Sequence, residues 1–166
     1  MINYRATQIA RQSISAPLKE LLTDLRFDDL WLTDSILHFG EGKAYADTEA
    51  LNRIAPTMAY DPHSEDHAKR SPAVLSVPVQ TVFSCYVYNV MLPDTRAAAH
   101  RRLLEISDTV IWVVRADRIE GTPFEDGVLT KANTFQKSYT IEEAHREWPN
   151  ATVLSHRKGR WITMLE

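Results

Sequence analysis

The run "TVIWVV", residues 109–114, constrains the fold more than any other stretch. Five apolar residues in succession after Thr109 leave no polar face. A strand of this kind is buried on both sides, as inside a parallel sheet covered by helices. The segment before it has a different period. In "DTRAAAHRRLLEIS", opened by Pro93-Asp94, the residues Ala97, Ala98, Leu103, Leu104 and Ile106 form a helical stripe. A helix–strand–helix alternation from 94 to 139 predicts an α/β domain, or an irregular α+β version of one, with a central sheet and flanking helices.

The other segments fit around that core. Residues 6–25 carry apolar positions at helical spacing, with Pro17 splitting them into two short helices. "DDLWLTDSILHFGEG" (28–42) reads as a strand or a hairpin arm closed by Gly40-Glu41-Gly42. "ADTEALNRIA" (46–55) reads as a helix. "YDPHSEDHAKRSP" (60–72) reads as a short surface helix over 62–70 inside a long connection. "VPVQTVFSCYVYNVML" (77–92) is the longest strand pattern, with Val79, Thr81, Phe83, Cys85 and Val87 on one face. "TIEEAHREW" (140–148) is a helix with a Thr140–Glu143 capping box. Two apolar arms around "RKG" predict a C-terminal hairpin. One domain, 1–166, is expected. It has an irregular part over 1–76, an α/β core over 77–139, and a helix plus hairpin over 140–166.

Bulk properties exclude several classes. The chain has 44% hydrophobic and 25% charged residues and a net charge of −3, with no general pull toward nucleic acid or membrane. No apolar run approaches the roughly 18 residues that span a bilayer, and the N-terminus has no apolar signal region. Cys85 is the single cysteine, expected as a small buried residue. A cytoplasmic protein is expected. Phosphate-loop, dinucleotide-fingerprint and nucleophile-elbow motifs are missing from the sequence, and no cofactor is assigned.

The loop after 109–114 draws attention because ligands of open α/β sheets sit at the carboxyl ends of strands. It contains "EGTPFEDG", residues 120–127. If a helix starts there, Thr122 is its N-cap, Pro123 its first residue and Glu125 the capping-box partner. The same geometry has a chemical use. The helix dipole keeps a first-turn carboxylate ionised, and an ionised carboxylate beside a sugar carbon is a nucleophile toward an oxocarbenium-like centre. Gly121 and Gly127 let a ligand approach the backbone closely.

"SDTVIWVV…EGTPFEDG" resembles the segment of the nucleoside 2-deoxyribosyltransferase family that runs from a strand into "G-T-x-aromatic-E-x-G". The matching positions are Asp108, the strand 109–114, Gly121, Thr122, Phe124, Glu125 and Gly127, within residues 94–136. The resemblance implies cleavage or transfer at the N-glycosidic bond of a nucleoside or nucleotide. Glu125 would be the nucleophile, with Asp117 binding the sugar or orienting Glu125. Arg115 or Arg118 would take a phosphate, and Phe124 or Trp112 would line the base site. Tyr88 and Asn89, at the end of the longest strand pattern, would reach the same crevice.

Three further features have plain structural readings beside functional ones. His63 and His67 have zinc-ligand spacing on a helix, with Asp61 and Asp66 nearby, but lack a third ligand. Arg101, Arg102 and Glu105 fit the wet face of a helix, with Arg101–Glu105 an i,i+4 pair. His100 reads as a packed or partly exposed helix residue, and "HRKGR" (156–160) as a basic hairpin tip. No metal is assigned. The alternative to an enzyme is a non-enzymatic protein-binding module, an inhibitor, adaptor or assembly component, supported by the irregular N-terminal part and the polar stretch 60–72. The partner is then a protein rather than a nucleoside or nucleotide, with a homo-oligomer as a further option.

Overall fold

Strand β4 (Ser107–Arg115) has residues 110–114 buried without interruption and lies in the middle of the main sheet. Alternation along it sends side chains to two cores. Val110, Trp112 and Val114 join one apolar cluster, while Ile111 and Val113 join the other. The computed structural model describes residues 2–3 and 12–166. Its main sheet has six strands in the order β2 (Thr57–Tyr60), β1 (Ile36–Phe39), β3 (Val79–Cys85), β4, β9 (Trp161–Leu165), β8 (Thr152–Arg157). The first four are mutually parallel, and β9 runs antiparallel to both neighbours. β8 and β9 form the expected C-terminal hairpin.

Helices cover both faces, giving one mixed α/β domain. On one side α4 (Pro93–Ile106) and α5 (Ile141–Glu147) bury Leu103, Ile106 and Ala144 against Leu37, Val82 and Trp112. On the other, α1 (Ala16–Thr23), α2 (Tyr45–Leu51) and a 3-10 turn over Leu25–Trp31 bury Leu18, Leu21, Leu51 and Phe27 against Ile36, Phe83 and Ile111. The expected helix over 46–55 is α2, and the second of the two short helices expected around Pro17 is α1, with Pro17 in its first turn. The part of the 6–25 expectation that falls on residues 6–11 lies outside the described residues.

The α5 capping box is present as expected. Glu143 N–H donates to Thr140 Oγ1 at 3.2 Å, and Thr140 N–H donates to Glu143 Oε2 at 2.8 Å. The helix face of α4 pairs differently from expectation: Arg102, not Arg101, meets Glu105, at 2.7 Å. His100 is buried. It shares a hydrogen bond with the Tyr88 hydroxyl at 2.9 Å and another with Glu166 at 3.0 Å.

No helix forms over 123–135. "EGTPFEDG" instead builds strands β5 (Thr122–Phe124) and β6 (Gly127–Leu129), joined with β7 (Phe135–Gln136) in a small antiparallel sheet. Both glycines serve strand packing. A Cβ at Gly121 would lie 2.4 Å from the Leu129 carbonyl oxygen, and one at Gly127 would lie 2.5 Å from that of Gln136. Glu125, left-handed at φ 51°, closes the two-residue turn with Asp126. A second turn is tied by a 2.7 Å bond between the hydroxyls of Thr130 and Thr134.

Charged groups dock this small sheet on the domain. Buried Arg96 of α4 donates to Asp126 at 2.5 Å, to the Met91 carbonyl at 2.8 Å and to Glu147. Lys137 adds a 2.6 Å pair with Asp126. Burial of Asp126 works against ionisation, but hydrogen bonds from Lys137 and Arg96 outweigh it and hold its carboxyl below the usual range. A carboxyl depressed in the folded state stabilises above its unfolded pKa, and that contribution is lost as pH falls through the folded value. The urea midpoint should therefore drop as pH is lowered below about 4. Asp126→Asn, which has no carboxylate to protonate, should show a smaller drop.

Candidate functional site

The parallel strands leave a crevice at their carboxyl ends. From β1 the chain turns one way to β2 and then returns to β3 on the other side, so the strand order switches at β1. Such a switch point is where open α/β sheets bind ligands. A cavity of about 360 Å³ lies there, lined by the loop after β1, the residues after β2, and residues 85–87, 90–92 and 95.

Gly40-Glu41-Gly42 is part of its lining. Gly40 and Gly42 are both left-handed, at φ 75° and 57°. Gly40 N–H donates to the Tyr60 carbonyl at 2.7 Å, which ties the loop to the end of β2. Side chains do not fit at Gly40. A Cβ there would lie 2.2 Å from Val87 Cγ2. The two bends turn the chain from β1 into α2 within five residues, Gly40 to Ala44.

Three carboxylates and one lysine line the cavity: Glu41, Asp47, Asp61 and Lys43. Asp61 follows β2 directly. Its Oδ1 accepts from His63 N–H at 2.7 Å, and its own N–H donates to the Lys69 carbonyl at 3.0 Å. Glu41 is 3% exposed. It accepts from Thr48 Oγ1 at 2.5 Å and from Lys69 Nζ at 2.6 Å. The Thr48 proton is therefore spent on Glu41, which leaves His38 Nδ1 as donor in its 2.7 Å bond to Thr48 Oγ1. Asp47 is fully buried and accepts from Ser15 N–H at 2.6 Å. Val87, Val90, Met91 and Leu92 add an apolar part to the lining.

The expected site residues stand elsewhere. Glu125 is exposed on the β5–β6 turn, and Gly121, Thr122 and Phe124 belong to the small sheet or its start. Arg115 and Asp117 pair with each other, at 2.8 and 2.5 Å, and Arg118 is exposed. Tyr88 packs beside Trp112 and Trp148 in the core. Asn89 is a buried brace, accepting from Arg115 N–H at 2.9 Å and donating to the Lys137 carbonyl at 2.5 Å. Trp112 is buried in the sheet. None of these residues lines the cavity. His63 lies in the loop before the four-residue helix α3 (His67–Arg70), so the two histidines do not share a helix face. Among the described residues no group of three or more His, Cys, Asp or Glu is placed to hold a metal ion, and no helix is long and apolar enough to cross a membrane. Cys85 is half-buried and lines the cavity.

Sequence reasoning missed the Gly40 loop because it took Gly40-Glu41-Gly42 as the end of a strand. The available signal was a glycine pair after "ILHF" with an acidic residue, Asp61, about twenty residues further on.

The cavity depends on the 61–72 stretch staying in place, and Lys69 holds it against Glu41. Lys69→Met should lower stability by about 2 kcal/mol in urea unfolding, because a buried carboxylate loses its cation. Glu41→Gln in the same chain should restore part of that loss.

No protein-family model matches the chain, and no curated protein matches it in sequence. Solved structures do match in fold. A S-adenosylmethionine-dependent methyltransferase from Clostridium acetobutylicum superposes with a TM-score of 0.62 at 12% identity, covering 92% of this chain and 91% of that one. DhpI in complex with SAH (S-adenosylhomocysteine) gives 0.60 at 14% identity, covering 80% and 75%. Magnesium protoporphyrin IX methyltransferase from Synechocystis with bound SAH gives 0.57 at 11% identity, covering 90% and 80%. This chain therefore has a methyltransferase-like fold. The expected kinship with nucleoside 2-deoxyribosyltransferases is overturned, and with it the expected N-glycosidic cleavage or transfer and the deoxyribosyltransferase or glycosidase activity. These structures are methyltransferases, and the segment that carried the resemblance is a β-hairpin rather than a strand leading into a helix. The fold gives the non-enzymatic binding module no better support.

Proposed function

We propose that the protein is a methyltransferase that uses S-adenosylmethionine and holds it in the cavity at the carboxyl ends of β1, β2 and β3. The observation that carries this reading is a left-handed Gly40/Gly42 loop after β1 and a carboxylate, Asp61, after β2, both lining one cavity. In open α/β folds a glycine loop of this kind lets a nucleotide approach the backbone, and an acidic residue on the next strand takes the ribose hydroxyls. The likeness to methyltransferase folds supports the choice of cofactor.

The lining fits the group. Asp61 offers carboxylate oxygens to a ribose diol. Val87, Val90, Met91 and Leu92 offer an apolar wall to a purine. Lys69 answers Glu41, and Asp47 and Asp61 against Lys43 leave the described lining net negative, which favours a cationic ligand over an anionic one. When bound, S-adenosylmethionine supplies an electrophilic methyl group on a positively charged sulfur. The protein's part is to fix that methyl in line with an acceptor and to keep water from it. Gly40 and Gly42 position the ligand's backbone-facing edge, Asp61 sets its rotation, and the apolar wall excludes solvent.

Isothermal titration with S-adenosylhomocysteine tests the reading. Binding at one site is expected, with Asp61→Asn weakening it about tenfold or more, the loss of about 1.4 kcal/mol. Asn keeps an oxygen for His63 N–H, so the fold should survive. Absence of binding to the wild-type protein, or equal affinity in Asp61→Asn, would contradict the assignment.

A further inference from the structure

The residues between β3 and α4 divide into two sets. Val87, Val90, Met91 and Leu92 line the cavity. Tyr88 and Asn89, in a 3-10 turn over Tyr88–Val90, are buried and do not line it. The polar contacts that hold this segment come from elements outside the cavity. The Tyr88 hydroxyl meets His100 of α4 at 2.9 Å. The Asn89 side chain bridges Arg115 N–H at 2.9 Å and the Lys137 carbonyl at 2.5 Å, and its carbonyl accepts from Lys137 N–H at 2.7 Å. Lys137 directly follows β7, so Asn89 ties the segment to the small sheet.

Arg96 makes the second tie. Its side chain is 2% exposed. Nη1 donates to the Met91 carbonyl at 2.8 Å, and its backbone N–H donates to the Leu92 carbonyl at 2.9 Å. Nη2 donates to Asp126, in the β5–β6 turn, at 2.5 Å, and Nε donates to Glu147, the last residue of α5. The guanidinium also stands 5.8 Å from the centre of the Tyr139 ring. One side chain thus joins the small sheet, α5 and two residues of the cavity lining. A planar fork with five donors can serve these partners together, whereas an ammonium group cannot. A buried cation whose partner moves must follow it or be left uncompensated.

We infer that Arg96 is a positioning residue for the cavity: it passes the seat of the small sheet on to Met91 and Leu92, and so sets the apolar lining that receives the purine. The identity of that ligand rests on the cofactor reading; the coupling of the small sheet to the lining does not. Apolar contacts are short-ranged. A gap of about 0.5–1 Å forfeits roughly a quarter to a half of a dispersion contact, so a small displacement of the lining is read as lost affinity. Supporting partners behind a binding surface hold it to that tolerance.

Asp126 is the handle for the test, because it touches Arg96 without lining the cavity. In ligand-free labelled protein, Asp126→Ala should move the amides of Val87, Val90, Met91 and Leu92. Glu125→Gln, on the same turn, should leave them in place. In titrations with S-adenosylhomocysteine, run where circular dichroism shows each variant folded, Asp126→Ala should bind about fivefold more weakly. Asp126→Asn keeps an oxygen for Arg96 and should fall between that variant and the wild type, while Glu125→Gln should match the wild type. A role in stability alone would lower the urea midpoint and leave the affinity of the folded protein unchanged. That result, or unmoved 87–92 amides in Asp126→Ala, would overturn the inference. Should Asp126→Ala not fold, Asp126→Asn carries both readouts, with binding about twofold weaker expected and equal affinity overturning the inference. If the wild-type protein does not bind S-adenosylhomocysteine, the cofactor reading fails, and the ligand-free amides still decide the positioning role.

Discussion

The close approach of Gly40 to Val87 sets the rest of the site. With a Cβ only 2.2 Å from a valine methyl, any other residue at 40 would push the β1 loop away from the segment that follows β3. The ends of β1 and β3 would then no longer enclose one space. The left-handed bends at Gly40 and Gly42 turn the chain away from the sheet and into α2. That turn carries Glu41 inward, where Thr48 and Lys69 hold its carboxylate and the 61–72 excursion is drawn in beside the loop. Asp61 takes its place at the cavity edge because this excursion begins directly after β2.

The two cores explain why the crevice stays open at one end of the sheet. β4 is packed on both faces, with Trp112 on one and Ile111 and Val113 on the other. The ends of the strands are the remaining places where backbone and polar side chains meet a ligand. Left-handed Tyr86 stands at these strand ends, and the other left-handed non-glycine residues among those described, Glu125 and Asn133, lie in the turns of the small sheet.

Features set by local chemistry were legible in the sequence. The doubly buried strand at 109–114, the helix over 94–107, the Thr140–Glu143 capping box and the C-terminal hairpin all depend on residues close together in the chain. "EGTPFEDG" was not legible because Thr, Pro and Gly serve a helix start and a strand turn alike. What decided it was the approach of Leu129 and Gln136 to two glycines, and those contacts arise only when the three short strands pair. The cavity was hidden for a related reason. β1 has four residues, and α2 begins without a side-chain cap, so neither announces the strand–loop–helix unit that gives Gly40-Glu41-Gly42 its meaning. Arg115 and Asp117 were singled out from their position after β4, and they pair with each other rather than line the cavity.

Binding at the Gly40 loop is the central claim, and amide NMR reads it directly. On adding S-adenosylhomocysteine to labelled protein, the amides of Gly40, Glu41, Gly42 and Asp61 should shift most, with those of 121–129 in the small sheet nearly unmoved. Shifts centred on the small sheet, or no shifts at saturating ligand, would contradict it.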